Sequence, residues 1–231
     1  MIELSRLEKK IKVHFKNSDT LKQALVHRSY LNENPGFKLN HNERLEFLGD
    51  AVLELVVTDY LYRNYPNPEG ELTNWRASLV NSQMLARIAQ KIDLGDYLYL
   101  SRGETKDASS KARNYILANA FEALIGAIYL DRGLDQADEF ISQNILTELP
   151  NILSNKLYMD PKSKFQEIAQ EKLKITPNYR VLKESGPDHD KKFQIGVFLA
   201  EELIATSTGS SKQEGQTLAA KLALKKKKWD N

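Results

Sequence analysis

The 231-residue chain contains no cysteine. Disulfides and thiolate zinc sites are therefore excluded, together with any fold that depends on them. Histidine is scarce: His14, His27, His41 and His189 are scattered, and none forms the helical HExxH pair of a zinc site. Any metal is expected to be held by oxygen. No stretch reaches the roughly 18 consecutive apolar residues of a membrane span. The opening stretch, MIELSRLEKKIKVHF, is charged throughout and lacks the apolar run of a signal peptide. These absences predict a cytoplasmic protein with no membrane partner. Internal repeats are also absent, and there is no low-complexity tract before the lysines near the C-terminus.

What is present suits ordinary packed cores. Hydrophobic residues make up 41% and charged residues 28%, and the length allows one large or two modest domains. The net charge of +2 conceals a split. Residues 160–231 carry 14 Lys and Arg against 10 Asp and Glu, net +4, whereas the first 159 residues carry 19 against 21, net −2. A mildly acidic piece followed by a basic one fits a catalytic metal domain joined to a nucleic-acid grip.

Residues 1–150 read as helical almost throughout. Leu4, Leu7, Ile11 and Phe15 follow helical spacing, and Ser18-Asp19 is placed to cap a second helix over 21–26. Residues 32–38 form a polar loop with Pro35-Gly36. A long helix then starts near Asn42 and runs to about Tyr65, where Pro66-Asn67-Pro68 stops it. Glu69 opens the next helix, which holds Leu79, Leu85 and Ile88. After a polar loop over 101–114, a helix covers 116–130 and another covers about 135–149, ending at Pro150. Residues 151–161 read as a linker.

The chemistry centres on residues 42–50, NERLEFLGD. Glu43, Glu46 and Asp50 are spaced i, i+3, i+7, which on a helix puts three carboxylates on one face. Leu45, Leu48, Val52 and Val56 fall on the opposite face and can pack. Three like charges repel, so the stripe is either a solvated acidic face or one completed by a hard divalent cation, Mg²⁺ or Mn²⁺. The helix over 116–130 carries Asn119 and Glu122 at i, i+3, beside Ala123, Gly126 and Ala127. Such small residues let a second helix approach closely. If that helix is the acidic one, Asn119 and Glu122 meet Glu46 and Asp50, and two helices supply one oxygen cluster.

The stretch NERLEFLGDAVL, residues 42–53, resembles the signature of the ribonuclease III family, metal-dependent endonucleases that cut double-stranded RNA. The segment over 21–30, LKQALVHRSY, and the glycine-glutamate of the 101–114 loop resemble further landmarks of that family; His27 is taken as structural. The resemblance implies an all-α catalytic domain over 1–150, a homodimer whose two sites each cut one strand, and products with 5′-phosphate and 3′-hydroxyl ends. It implies Mg²⁺ at Glu46, Asp50, Asn119 and Glu122, with Asp50 and Glu122 catalytic and Mn²⁺ able to substitute. Glu43 and Glu69 form an additional acidic group at the edge of that site.

At one position the chain departs from the pattern: the family has aspartate where this sequence has Asn119. An amide oxygen binds Mg²⁺ or a coordinated water but brings no charge, so weaker metal binding is expected. Asn119 is also the one feature favouring a protein that holds duplex RNA without cutting it.

The second domain, 162–228, reads as helix, three strands and helix. Lys162-Ser163-Lys164-Phe165-Gln166-Glu167 opens a helix reaching Leu173, strands follow over 179–184, 193–199 and 202–207, and a closing helix carries Leu218, Ala219, Leu222 and Ala223. The α-β-β-β-α order, the GPxHxxxF stretch from Gly186 and the GSSK helix start resemble the double-stranded RNA-binding domain. The fold class is therefore α+β multidomain. By that resemblance Gln166 and Glu167 reach 2′-hydroxyls of one minor groove, His189 reaches the next, and Lys212 faces phosphate. Gln213 and Gly215 replace the lysine and alanine usual there, with an expected helix cost of roughly 1 kcal/mol for the glycine. The lysines at 225–228 read as a solvated helix end.

Overall fold

Asn42 is the one buried polar side chain among the described residues, and it fixes where the long acidic helix begins. Its amide donates to the Ala24 carbonyl at 3.3 Å and its backbone N–H to the Val26 carbonyl at 2.9 Å. Its own carbonyl accepts from the N–H groups of Leu45 and Glu46, both at 2.9 Å. A buried polar group must be paired, so this register has no cheap alternative.

The computed structural model describes residues 3–106, 111–187 and 191–229. They form two separate units, 1–154 and 155–231. The first is helical: α1 (Leu4–Ile11), α2 (Ser18–Ala24), α3 (Arg28–Glu33), α4 (Glu43–Asn64), α5 (Glu69–Val80), α6 (Ser82–Lys91), α7 (Arg102–Lys106), α8 (Lys111–Arg132), α9 (Leu134–Asn144) and α10 (Leu149–Ser154). Helix α8 is the hub. Leu117, Phe121, Leu124, Ile125 and Ile128 are buried, as are Ala118, Ala120, Ala123, Gly126 and Ala127, so apolar side chains cover almost its whole circumference. Helix α4 lies along it, burying Leu45, Val52, Leu53, Val56, Val57 and Leu61. Each fully buried Leu or Ile contributes roughly 1.5–3 kcal/mol. Leu48, on the face expected to pack, is half-buried.

Several boundaries differ from expectation for local reasons. Phe15 lies beyond α1, which Lys12 ends in a left-handed conformation at φ 57°. Asn17, not Ser18-Asp19, caps α2, accepting from the N–H of Asp19. The single helix expected after Glu69 is two, because Asn81 leaves the helical conformation and caps α6 through the N–H of Met84. The polar 101–114 loop contains α7 and the first turn of α8. Pro150 does not end the helical unit; it occupies the first turn of α10, where its missing N–H costs nothing.

The second unit consists of α11 (Pro161–Leu173), β1 (Asn178–Ser185), β2 (Lys192–Leu199), β3 (Glu202–Gly209) and α12 (Lys212–Lys227). The strands form an antiparallel sheet in the order β1-β2-β3, with irregularities at Val181/Lys183 and Val197/Phe198. Ile195, Val197 and Leu199 of β2 and Ile204 of β3 meet Phe165 and Ala169 of α11 and Ala219, Ala220, Ala223 and Leu224 of α12. Both helices therefore cover one face of the sheet. Asp160 caps α11 and Ser211 caps α12.

Candidate metal centre and RNA-binding residues

Two glycines decide how closely α4 and α8 approach. A Cβ on Gly49 would stand 1.8 Å from the carbonyl oxygen of Glu122, and one on Gly126 would stand 2.2 Å from the carbonyl oxygen of Leu45. The helices run antiparallel and touch backbone to backbone. Glu46 and Asp50, on either side of Gly49, are thereby brought to Glu122, and Asn119 sits one turn from Glu122 on the same helix.

The electrostatics report that proximity. Burial, then the charges of Asp50 and Glu46, push the Glu122 carboxyl from 4.5 up to about 7. Glu46 is also raised, by burial first and then by Glu43 and Asp50, while a hydrogen bond from the Asn119 side chain opposes the shift. Asp50 is exposed. Glu46, Asp50, Asn119 and Glu122 thus form one oxygen-rich group with no cation of its own among them.

Glu43 and Glu69 are placed differently. Glu43 is held by Arg28 of α3, with the guanidinium Nε donating to it at 2.5 Å, and His41 Nδ1 lies 3.9 Å away. The Arg28 hydrogen bond keeps the Glu43 carboxyl below its ordinary range. Glu69 starts α5 and accepts from the Thr73 hydroxyl at 3.1 Å. It lines a cavity of about 580 Å³ with Thr58, Tyr62 and Arg76. Thr58 lies about 12 Å along α4 from Asp50, at about 1.5 Å rise per residue. Within one chain, Glu69 stands apart from the Glu122 group.

Sequence reasoning missed Arg28, because nothing in the spacing ties it to a glutamate 15 positions on. His27 is structural: it precedes α3, and its ring accepts from the N–H of Ser29. Burial lowers its pKa against the raising effects of Glu104 and Glu43.

Among the described residues no three His, Asp or Glu side chains are gathered tightly enough to hold a metal ion as they stand. The donor chemistry nevertheless suits a hard divalent cation: carboxylate and amide oxygens only, around a carboxyl whose ionisation is opposed by burial and two like charges. Ligation requires the carboxylates, now repelling one another, to turn inward.

In the second unit, Gln166 and Glu167 are exposed on α11, while Phe165 and Ala169 face the core. Lys212, in the first turn of α12, has its ammonium 3.3 Å from Glu184 and 5.5 Å from the centre of the Phe193 ring. His189 lies outside the described residues.

A helical unit that sets Glu46 and Asp50 beside Glu122 is thus joined in one chain to an α-β-β-β-α unit. The family model described as Ribonuclease-III-like matches residues 17–149, and that of the double-stranded RNA binding motif matches 161–227. The chain belongs to the ribonuclease III family of endoribonucleases, hydrolases acting on double-stranded RNA. It is 44% identical to Ribonuclease 3 of Dehalococcoides mccartyi over 226 residues, covering 97% of this chain and 94% of that protein. To Ribonuclease 3 of Nitratiruptor sp. it is 45% identical, covering 97% of each. Among solved structures, the ribonuclease III nuclease domain of Campylobacter jejuni matches at 38% identity and a TM-score of 0.57, over 64% of this chain and 99% of that one. That structure is described as showing flexibility in a region involved in dimer formation. No helix among the described residues is long and apolar enough to cross a membrane.

Proposed function

We propose that this protein hydrolyses phosphodiester bonds of double-stranded RNA in a reaction dependent on divalent cations. Mg²⁺ is the natural ion and Mn²⁺ a substitute, held by Glu46, Asp50 and Glu122 and by the amide oxygen of Asn119. The observation that carries this reading is the backbone contact at Gly49 and Gly126, which sets the Glu122 carboxyl, pushed up to about 7, beside Asp50 and Glu46. Such a group is costly in a scaffold and useful in a cation site. When bound, the cation supplies a Lewis acid for the phosphate and lowers the pKa of water beside it.

The remaining roles belong to the chain. Gly49 and Gly126 hold α4 and α8 in backbone contact, which keeps the oxygen donors of the two helices beside one another. Arg28 keeps Glu43 ionised at the edge of the site. Gln166, Glu167, His189 and Lys212 grip the duplex across its minor grooves and phosphates. Products carry 5′-phosphate and 3′-hydroxyl ends, and the natural substrates are structured precursors of rRNA and mRNA.

The working form is a homodimer. Phe47, Leu55, Tyr62 and Leu130 are large apolar side chains exposed at 81%, 57%, 78% and 59% on α4 and α8, an unusual outlay for a lone helical unit. The dimer-forming nuclease domain of the Campylobacter jejuni relative supports this assembly. A second copy also gives Glu69, remote within one chain, a route to the site.

Labelled duplex RNA incubated with the protein, with and without Mg²⁺ and then Mn²⁺, tests the reading, on a denaturing gel for cleavage and a native gel for binding. Cleavage confined to the cation lanes supports it; intact duplex in every lane overturns it. Intact duplex that is shifted but uncut favours a second reading, a duplex-binding protein in which the neutral Asn119 has removed cleavage.

A further inference from the structure

The start of α12 is poor in the positive charge that a phosphate backbone requires. Its first residues are Lys212, Gln213, Glu214, Gly215 and Gln216, one cation and one carboxylate. Glu214 turns back to accept from the N–H of Ser210 at 2.6 Å and from its hydroxyl, closing the helix cap. Lys212 is shared with Glu184.

A second cation reaches this place from a different helix. Lys162, in the first turn of α11, donates to Oε1 of Gln216 at 2.7 Å, and its ammonium lies 5.3 Å from the centre of the Tyr179 ring. Both partners are neutral, so the ammonium keeps its full charge for an anion. The carboxylate nearest in sequence, Asp160, caps the helix through one oxygen, accepting from the N–H groups of Lys162 and Ser163 at 3.0 and 3.3 Å. Lys162 also precedes Gln166 by four residues, which sets both on one side of α11.

We propose that Lys162 is a phosphate-contacting residue of the RNA-binding unit, delivering from α11 the positive charge that the glutamine-rich start of α12 lacks. The Gln216 amide and the Tyr179 ring aim the ammonium in advance. A lysine already held loses less conformational entropy on meeting a phosphate than one free in solvent. The inference rests on the reading of this unit as a duplex-RNA grip.

Its test measures binding by the full-length protein in EDTA, so that no cleavage intervenes. The probe is a labelled RNA duplex longer than the roughly 16 base pairs that one such unit spans. Lys162→Gln is expected to weaken binding about threefold to tenfold and to flatten the plot of log K against log salt by about one contact. Adding Gln216→Lys returns a cation to the same place from α12 and is expected to restore the slope. Melting curves accompany each variant. A lower Tm with an unchanged salt slope assigns Lys162 to stapling α11 onto α12 and overturns the inference, as does a double variant that fails to recover. A parent protein with no salt-dependent affinity for the duplex instead overturns the reading of the unit itself.

Discussion

The backbone at Gly49 lies so near the carbonyl oxygen of Glu122 that a Cβ there would stand 1.8 Å from it. One glycine thus fixes both how closely α4 and α8 pack and where the Glu122 side chain emerges. Gly49→Ala must push the helices apart, and backbone on both sides leaves no flexible side chain to yield. We expect a cost of about 3 kcal/mol or more, and a melting temperature lower by roughly 6–12 °C for a chain this long. Cleavage should fall with it. A variant melting within about 2 °C of the parent in a circular dichroism scan would show that the crossing is looser than this contact requires.

Glu122 gives the metal-free protein a distinctive pH dependence. Its carboxyl ordinarily titrates at 4.5 and in the fold at about 7. Between these values the folded state binds the proton more tightly than the unfolded state. This contribution therefore favours the fold below about 4.5 and is lost as pH rises to about 7. Undiscounted, the shift corresponds to roughly 3 kcal/mol, which solvent reaching the carboxyl reduces to about 1–2 kcal/mol. Glu122→Gln should flatten Tm against pH in that window. The same variant should stop cleavage and leave duplex binding nearly intact, because binding resides mainly in the second unit. A variant that still cuts at the parent rate in Mg²⁺ removes Glu122 from the site.

How much of this was legible in the sequence follows the range of each interaction. The extent of α4, ending at Asn64 with Tyr65 as its cap, is written in spacing and in Pro66-Asn67-Pro68, which are local signals. The three strands of the second unit are equally local, and each lies within two residues of its expected ends. The meeting of Glu46, Asp50 and Glu122 was readable because small residues on α8 announce a close approach. By contrast, the Arg28–Glu43 pair and the Lys162–Gln216 hydrogen bond join residues 15 and 54 positions apart, with no periodicity to signal them. Asn17 was missed because it competes with Ser18, which caps helices equally well in isolation, and Asn81 because one continuous helix was read across it.

Gly215 shows a local rule reversed by packing. Helix propensity alone makes Gly215→Ala a gain of roughly 1 kcal/mol. In the fold, however, a Cβ there would stand 2.5 Å from Cγ1 of Ile195 and 3.4 Å from the carbonyl oxygen of Phe193. Ile195 is a fully buried, β-branched side chain with little freedom to yield. Overpacking costs typically about 1–3 kcal/mol, so the net effect should be destabilising. A urea titration following the fluorescence of Trp229, whose ring lies tilted against Phe165 in this unit, gives the sign when parent and variant both carry Trp75→Phe. A higher midpoint in the alanine variant would mean that Ile195 repacks freely.

Asn119 offers the sharpest test of the proposed cation site. Asn119→Asp adds a carboxylate beside Glu46, whose ionisation Asn119 now assists with a hydrogen bond, and near Glu122, already pushed up to about 7. An aspartate cannot donate that hydrogen bond and repels the charge instead. Without a divalent ion the variant should therefore melt lower than the parent, by roughly 2–4 °C if the combined cost is about 1 kcal/mol. With Mg²⁺ the added charge becomes an asset, since a hard cation binds a carboxylate more tightly than an amide oxygen. The rise in Tm on adding Mg²⁺ should be larger in the variant and should saturate at lower concentration, as expected when a ligand binds only the folded state. The cleavage rate should reach half its maximum at correspondingly lower Mg²⁺. Superimposable Mg²⁺ titrations of parent and variant, by melting temperature and by rate, would place Asn119 outside the cation site.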